Sequence, residues 1–173
     1  MSHYERKRRV AIVLVGLASA VAPPVLGHGE TRHAPAGPKV LSTEEHPWGR
    51  EGDPRKATRT IEVDMGDDMR FKPAKLEVRA GETVKFLVRN RGKLLHEMVI
   101  GTEAELAKHA ELMRKHPGME HEEAYMAHVS PGKRGQIAWT FTRAGTFMYG
   151  CLIPGHWESG MKGTIVVATR HAH

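Results

Sequence analysis

From Thr58 onward, apolar and polar residues alternate in short runs: Ile61-Val63, Leu76-Val78, Val84-Phe86-Val88, Met98-Ile100, Ile137-Trp139-Phe141, Phe147-Tyr149 and Thr164-Val166. A period of two puts every second side chain on one face, so each run predicts a half-buried strand. Between the runs stand Arg79-Ala80-Gly81, Arg89 to Gly92, Pro131-Gly132 and Ala144-Gly145. These suit bends, because glycine tolerates left-handed backbone and proline presets φ. About seven short strands with turn signals between them predict an all-β fold, an antiparallel β-sandwich.

One segment departs from this period. Leu106, Ala110 and Met113 recur at i, i+4, i+7, and Thr102 followed by Glu105 forms a capping-box signature ahead of them. Pro117-Gly118 ends the helix, and a second short helical or irregular piece is expected after it. A helical insertion at about 102–128 therefore interrupts the strands. Such an excursion carries something specific or covers an open sheet edge.

The chain ahead of the strands has a different composition. Residues 28–57 are rich in His, Pro, Gly and charge without an apolar period, which predicts a flexible arm outside the core. Residues 1–27 have a basic start, an apolar run from Val10 to Ala22 and small residues near two cutting points, after Ala20 and after Gly27. That is a signal peptide, too short in its apolar run to span a bilayer as a stable helix, so no permanent membrane anchor is expected and the mature chain belongs in the periplasm. With 173 residues the chain has room for one core, placed at residues 58–169, and residues 170–173 form a tail expected to be disordered.

Composition narrows the function. Half of the formal net charge of +6 sits in the leader, where Arg6, Lys7, Arg8 and Arg9 stand against Glu5. The remainder is too weak and too evenly spread for a nucleic-acid partner. A mean hydropathy of -0.44 excludes a polytopic membrane protein. Aromatics are only 6% of the residues, so the core is expected to be built from Val, Ile, Leu and Met rather than from stacked rings.

Cys151 is the single cysteine. An oxidising compartment normally holds cysteines as disulfides, so an exported lone thiol is either a buried core residue or a metal-bound thiolate. Its surroundings bear on the choice. In Gly150-Cys151-Leu152-Ile153-Pro154-Gly155-His156-Trp157-Glu158-Ser159-Gly160-Met161-Lys162-Gly163 a strand ends at the cysteine, a histidine follows five residues on, and a methionine five after that. Thiolate, imidazole and weak thioether on one loop are ligands of a blue-copper centre, which lacks only a second imidazole. His96, near the start of the Leu95 to Ile100 run, can supply it. Zinc is the rival metal, but the thioether and the absence of a second cysteine favour copper.

Residues 58–169 resemble the cupredoxin family, and the loop ending in Gly160-Met161-Lys162-Gly163 is similar to those of azurin, auracyanin and rusticyanin. The resemblance implies a Greek-key sandwich with one type 1 copper cycling between Cu(I) and Cu(II). It makes His96, Cys151 and His156 the strong equatorial ligands and Met161 the long axial one. Many cupredoxins carry Asn after the first histidine and Ser or Thr after the cysteine, tying the two ligand segments together. Here Glu97 and Leu152 stand in those positions, so that tie must be made differently.

The insertion holds His109, Met113, His116, Met119, His121, Met126 and His128, a density of soft and borderline ligands that could bind additional surface copper. Leu152, Pro154 and Trp157 are expected to give the edge of His156 an apolar docking surface for a partner. Two functions remain open. One is a soluble carrier passing electrons between redox partners such as a cytochrome or an oxidase. The other is copper handling, since the chain also resembles the periplasmic cupredoxins of bacterial copper-tolerance systems. Size and the lack of a His-Cys-His pair argue for an electron-transfer or copper-binding protein rather than an independent oxidase. All four type 1 positions lie outside the insertion, which is therefore expected to be removable without loss of the centre.

Overall fold

The structure, a computed structural model, describes residues 40–117 and 122–169. The leader, the first part of the arm, Met119, His121 and the 170–173 tail lie outside the described residues. The strands in chain order are β1 (Glu45–His46), β2 (Gly49–Glu51), β3 (Arg59–Gly66), β4 (Arg70–Lys72), β5 (Lys75–Arg79), β6 (Thr83–Asn90), β7 (His96–Gly101), β8 (Met126–Val129), β9 (Arg134–Thr140), β10 (Gly145–Gly150) and β11 (Lys162–Ala168). A helix, α1 (Glu103–Lys115), follows β7.

They form two sheets, ordered β1-β2-β9-β6-β3-β4 and β5-β11-β10-β7-β8. Each of the seven apolar runs falls in a strand or at its end. β6 shows the pattern most plainly: Val84, Phe86, Val88 and Asn90 are buried and the residues between them are not. Facing it, Leu76 and Val78 of β5 and Ile165 and Val167 of β11 complete one core, which also holds Phe71, Trp139, Phe141 and Tyr149. Most pairings are antiparallel, but β3 pairs β6 and β5 pairs β11 in parallel.

β7 is buried at every position, which alternation alone does not explain. Met98 and Ile100 face the sandwich core. Val99 faces the opposite way, into a second cluster with Leu106, Ala110 and Met113 of α1, Met126, Leu152 and Trp157. The helix thus covers the outer face of the sheet with the i, i+4, i+7 stripe read from the sequence. Thr102 caps it, its hydroxyl accepting the Glu105 N–H at 3.3 Å.

Two expectations change. Of the helical or irregular piece expected after the helix, described residues 122–125 are irregular, but Met126 to Val129 form a strand, β8, antiparallel to β7 with Glu97 opposite His128. The arm is also not outside the core from end to end. Trp48 is only 4% exposed, its carbonyl accepts the Trp139 indole N–H at 3.1 Å, and β2 pairs with β9. A single large ring buries enough area to dock a polar segment, while strands of two and three residues are too short to show a period.

Candidate metal centre

His96 opens β7 and Cys151 directly follows β10, neighbouring strands of one sheet. Both residues are fully buried. The histidine is oriented from the other sheet: Asp67, in the β3–β4 turn, lies with Oδ1 3.0 Å from His96 Nε2. The same carboxylate accepts the Lys93 N–H at 2.8 Å and the Leu94 N–H at 3.2 Å. The Lys93 amide, with His96 next in effect, holds Asp67 below the usual carboxylate range. An ionised Asp67 accepts a hydrogen bond from the Nε2–H, so Nδ1 carries the free lone pair. His96 Nδ1 is buried and without a hydrogen-bond partner.

Cys151 Sγ lies 3.2 Å from His156 Nδ1 and accepts the Glu97 N–H at 3.5 Å. One donor atom from each of His96, Cys151 and His156 falls within 4.8 Å of the others. Burial pushes the Cys151 thiol up to about 12. Burial also lowers His156, with His96 adding to the shift, which leaves a neutral imidazole. An orphaned His96 nitrogen, the neutral His156 imidazole and a thiol that burial keeps protonated fit a cation that takes the thiolate and both ring nitrogens.

The loop from Cys151 to Met161 is fastened at several points. Cys151 N–H donates to the Met161 carbonyl at 3.1 Å, and Met161 N–H to the His156 carbonyl at 3.0 Å. Arg70 Nη1 reaches across from β4 to the Ser159 carbonyl at 2.9 Å. Gly160 has φ +87, backbone that favours glycine. Gly150 is required by close approach, since a Cβ there would stand 2.5 Å from the Trp157 ring. Met161 is fully buried in the same core cluster as Cys151.

The family model for copper binding proteins of the plastocyanin/azurin family matches residues 57–168. The chain belongs to the plastocyanin/azurin family of copper-binding proteins. This cupredoxin is 44% identical over 161 residues to a copper-resistant cuproprotein CopI of Rubrivivax gelatinosus, covering 92% of this chain and 96% of that protein. It is 38% identical over 149 residues to a CopI of Pseudomonas aeruginosa, covering 69% and 82%. Among solved structures it is similar in fold to a reduced auracyanin of Roseiflexus castenholzii, with TM-score 0.56 and 24% identity over 65% of this chain and 98% of that one.

The cupredoxin's His96, Cys151 and His156 could therefore hold copper, and among the described residues they are the one set of three His, Cys, Asp or Glu donors brought together. The insertion's cluster is divided. Met113 and Met126 are 8% exposed, packed beneath α1 rather than presented to solvent. His116 ends the helix, its N–H on the Leu112 carbonyl. His128 Nε2 lies 2.5 Å from Glu97 Oε2. The docking expectation is corrected as well: Leu152 and Trp157 are 1% and 7% exposed, because the helix covers them. Of the three residues only Pro154 is exposed.

Sequence reasoning missed Asp67, Arg70, Leu94 and Leu95, and saw Glu97 without its role. Asp67 and Arg70 act from another sheet, with no local signal. Leu94 and Leu95, 47% and 45% exposed just before His96, are large apolar side chains left in solvent. Glu97 was visible only as a departure. In the structure its Oε1 accepts the Leu152 N–H at 2.8 Å, so a carboxylate ties the two ligand segments together.

Proposed function

We propose that this cupredoxin serves copper tolerance in the periplasm, with copper held by His96, Cys151 and His156 as the strong ligands and Met161 as the weak axial one. The observation that carries this reading is the likeness to a copper-resistant cuproprotein over 92% of the chain, joined to the convergence of buried His96 and Cys151 with half-buried His156 and an unpartnered His96 nitrogen. The leader-like residues 1–27 support the location; no helix among the described residues is long and apolar enough to cross a membrane.

Copper bound there supplies a one-electron couple between Cu(I) and Cu(II). The protein's share is to hold the ligands before the metal arrives. Asp67 sets the tautomer of His96, Glu97 fixes the amide after Cys151, and Arg70 holds the far side of the loop. Half-buried His156, with Pro154 exposed beside it and Leu94 and Leu95 beside His96, offers the contact through which a redox or copper-handling partner exchanges electrons.

The test is copper content and absorption of protein purified from the periplasm, beside growth of a deletion strain on copper. One tightly held copper with an intense thiolate-to-copper band, and a copper-sensitive strain rescued by the wild-type gene but not by Cys151→Ser, is the expected result. Colourless protein, or full rescue by Cys151→Ser, would overturn the reading.

A further inference from the structure

Glu97 is 2% exposed, a carboxylate in the interior between two proposed ligands. A buried carboxylate is costly unless both oxygens find partners. Oε1 accepts the Leu152 N–H at 2.8 Å. Oε2 meets His128 Nε2 at 2.5 Å, with the histidine side chain 31% exposed and that of Glu97 3%. This contact is set by register, because Glu97 and His128 are direct cross-strand partners on β7 and β8. β8 is itself held in place: Asn90 Nδ2 donates to the Val129 carbonyl at 2.8 Å and to the Leu94 carbonyl at 2.7 Å.

We propose that His128 is a positioning residue of the copper centre: its Nε2–H holds one oxygen of Glu97 so that the other fixes the backbone that follows Cys151. The inference rests on the reading that Cys151 and its neighbours hold copper. It gives the end of the insertion a role distinct from binding surplus metal. The imidazole is part-exposed while its Nε2 meets an interior carboxylate. Without that donor, the Glu97 side chain is drawn toward water and away from Leu152, and the Cys151 sulfur loses the rigidity of its own chain. Hydrogen bonds and rigidity around a copper thiolate tune its electronic character.

The experiment uses the full chain, first without metal and then loaded with copper. In metal-free protein, His128→Phe should speed hydrogen exchange of the Leu152 amide about tenfold or more, while core amides such as Val63 are unmoved, because a hydrogen bond to a charged group is lost. His128→Gln, which keeps a donor, should restore protection. With Glu97→Ala already in place, His128→Phe should add nothing, which a purely packing role would not produce. In the loaded protein, His128→Phe should keep one copper but change the relative intensities of its thiolate-to-copper bands and its potential, and His128→Gln should bring both back. Unchanged Leu152 exchange and bands in His128→Phe would sink the proposal, as would equal loss in His128→Gln. If neither variant folds, the wild-type protein decides: a His128 Nε2 proton seen by NMR and slow to exchange supports the pair, and one exchanging freely with water overturns it. Failure of the wild-type protein to bind copper, with Leu152 still protected through His128, would instead defeat the proposed function and leave the pair standing.

Discussion

Cys151 has the environment of a thiol that stays protonated near neutral pH unless a metal takes the thiolate. Its folded pKa is pushed up to about 12 from 9.0, chiefly by burial, so the folded state holds the thiol proton more tightly than the unfolded state. That contribution to stability is present below pH 9.0 and is lost as pH rises through about 12. The metal-free thiol should therefore react with a disulfide reagent at about pH 8 far more slowly than in denaturant, and readily only toward strong alkali. Rapid reaction of the folded protein at the lower pH would show that the site is open. Met161→Leu should leave a coloured centre with a higher potential, because losing a weak electron donor disfavours Cu(II); a fall measured by redox titration would mean that Met161 is not axial. The proposed ligands could be read from the sequence because one loop carries three of them at even spacing and the fourth opens an apolar strand. Their supports could not. Asp67 stands 29 residues from His96, and Glu97 stands 55 from Leu152, separations that acquire meaning only after two sheets have stacked.

Among the elements, α1 was readable from its cap and its stripe, because both are local and helical spacing repeats within the segment. β1, β2, β4 and β8 were not, since two to four residues cannot display a period and their pairing is set by distant strands. The difference alters what removal of the insertion would do. Residues 102–128 include most of β8 and the His128 that meets Glu97, so excising them should strip partners from β7 and disturb the centre that the expectation left untouched. Finer changes separate cover from ligand. Leu106 is 2% exposed under the helix, and Leu106→Ala should cost about 2–5 kcal/mol in urea unfolding, the range for a buried leucine. Exposed His116 should tolerate Asn with a change within about 0.5 kcal/mol and no change in the absorption spectrum. Equal costs at the two positions would mean that α1 does not pack on the sheet as described.

At the scale of the whole molecule, the two sheets of the β domain pack around an apolar core that itself includes two of the proposed metal ligands, Cys151 and Met161. His96 and Cys151 are flanked by residues that the core needs in any case, Met98 and Ile100 on β7 and Tyr149 on β10. The sandwich should therefore fold cooperatively without metal. Copper should nevertheless stabilise it, because the unfolded chain spreads these ligands over residues 96 to 161 and cannot offer them together. A ligand bound by the native state alone, at a thousand times its dissociation constant, adds about 4 kcal/mol. Calorimetry should show a single transition for the metal-free protein and a higher one on saturation with copper. In Cys151→Ser that upward shift should shrink or vanish while the metal-free transition stays cooperative, since serine is close to cysteine in shape but offers no thiolate. Identical melting of the wild-type protein with and without copper would place metal binding outside the folded site; a metal-free chain with no transition would show that the core of Phe86, Phe141, Trp139 and Tyr149 is not sufficient to hold the two sheets together.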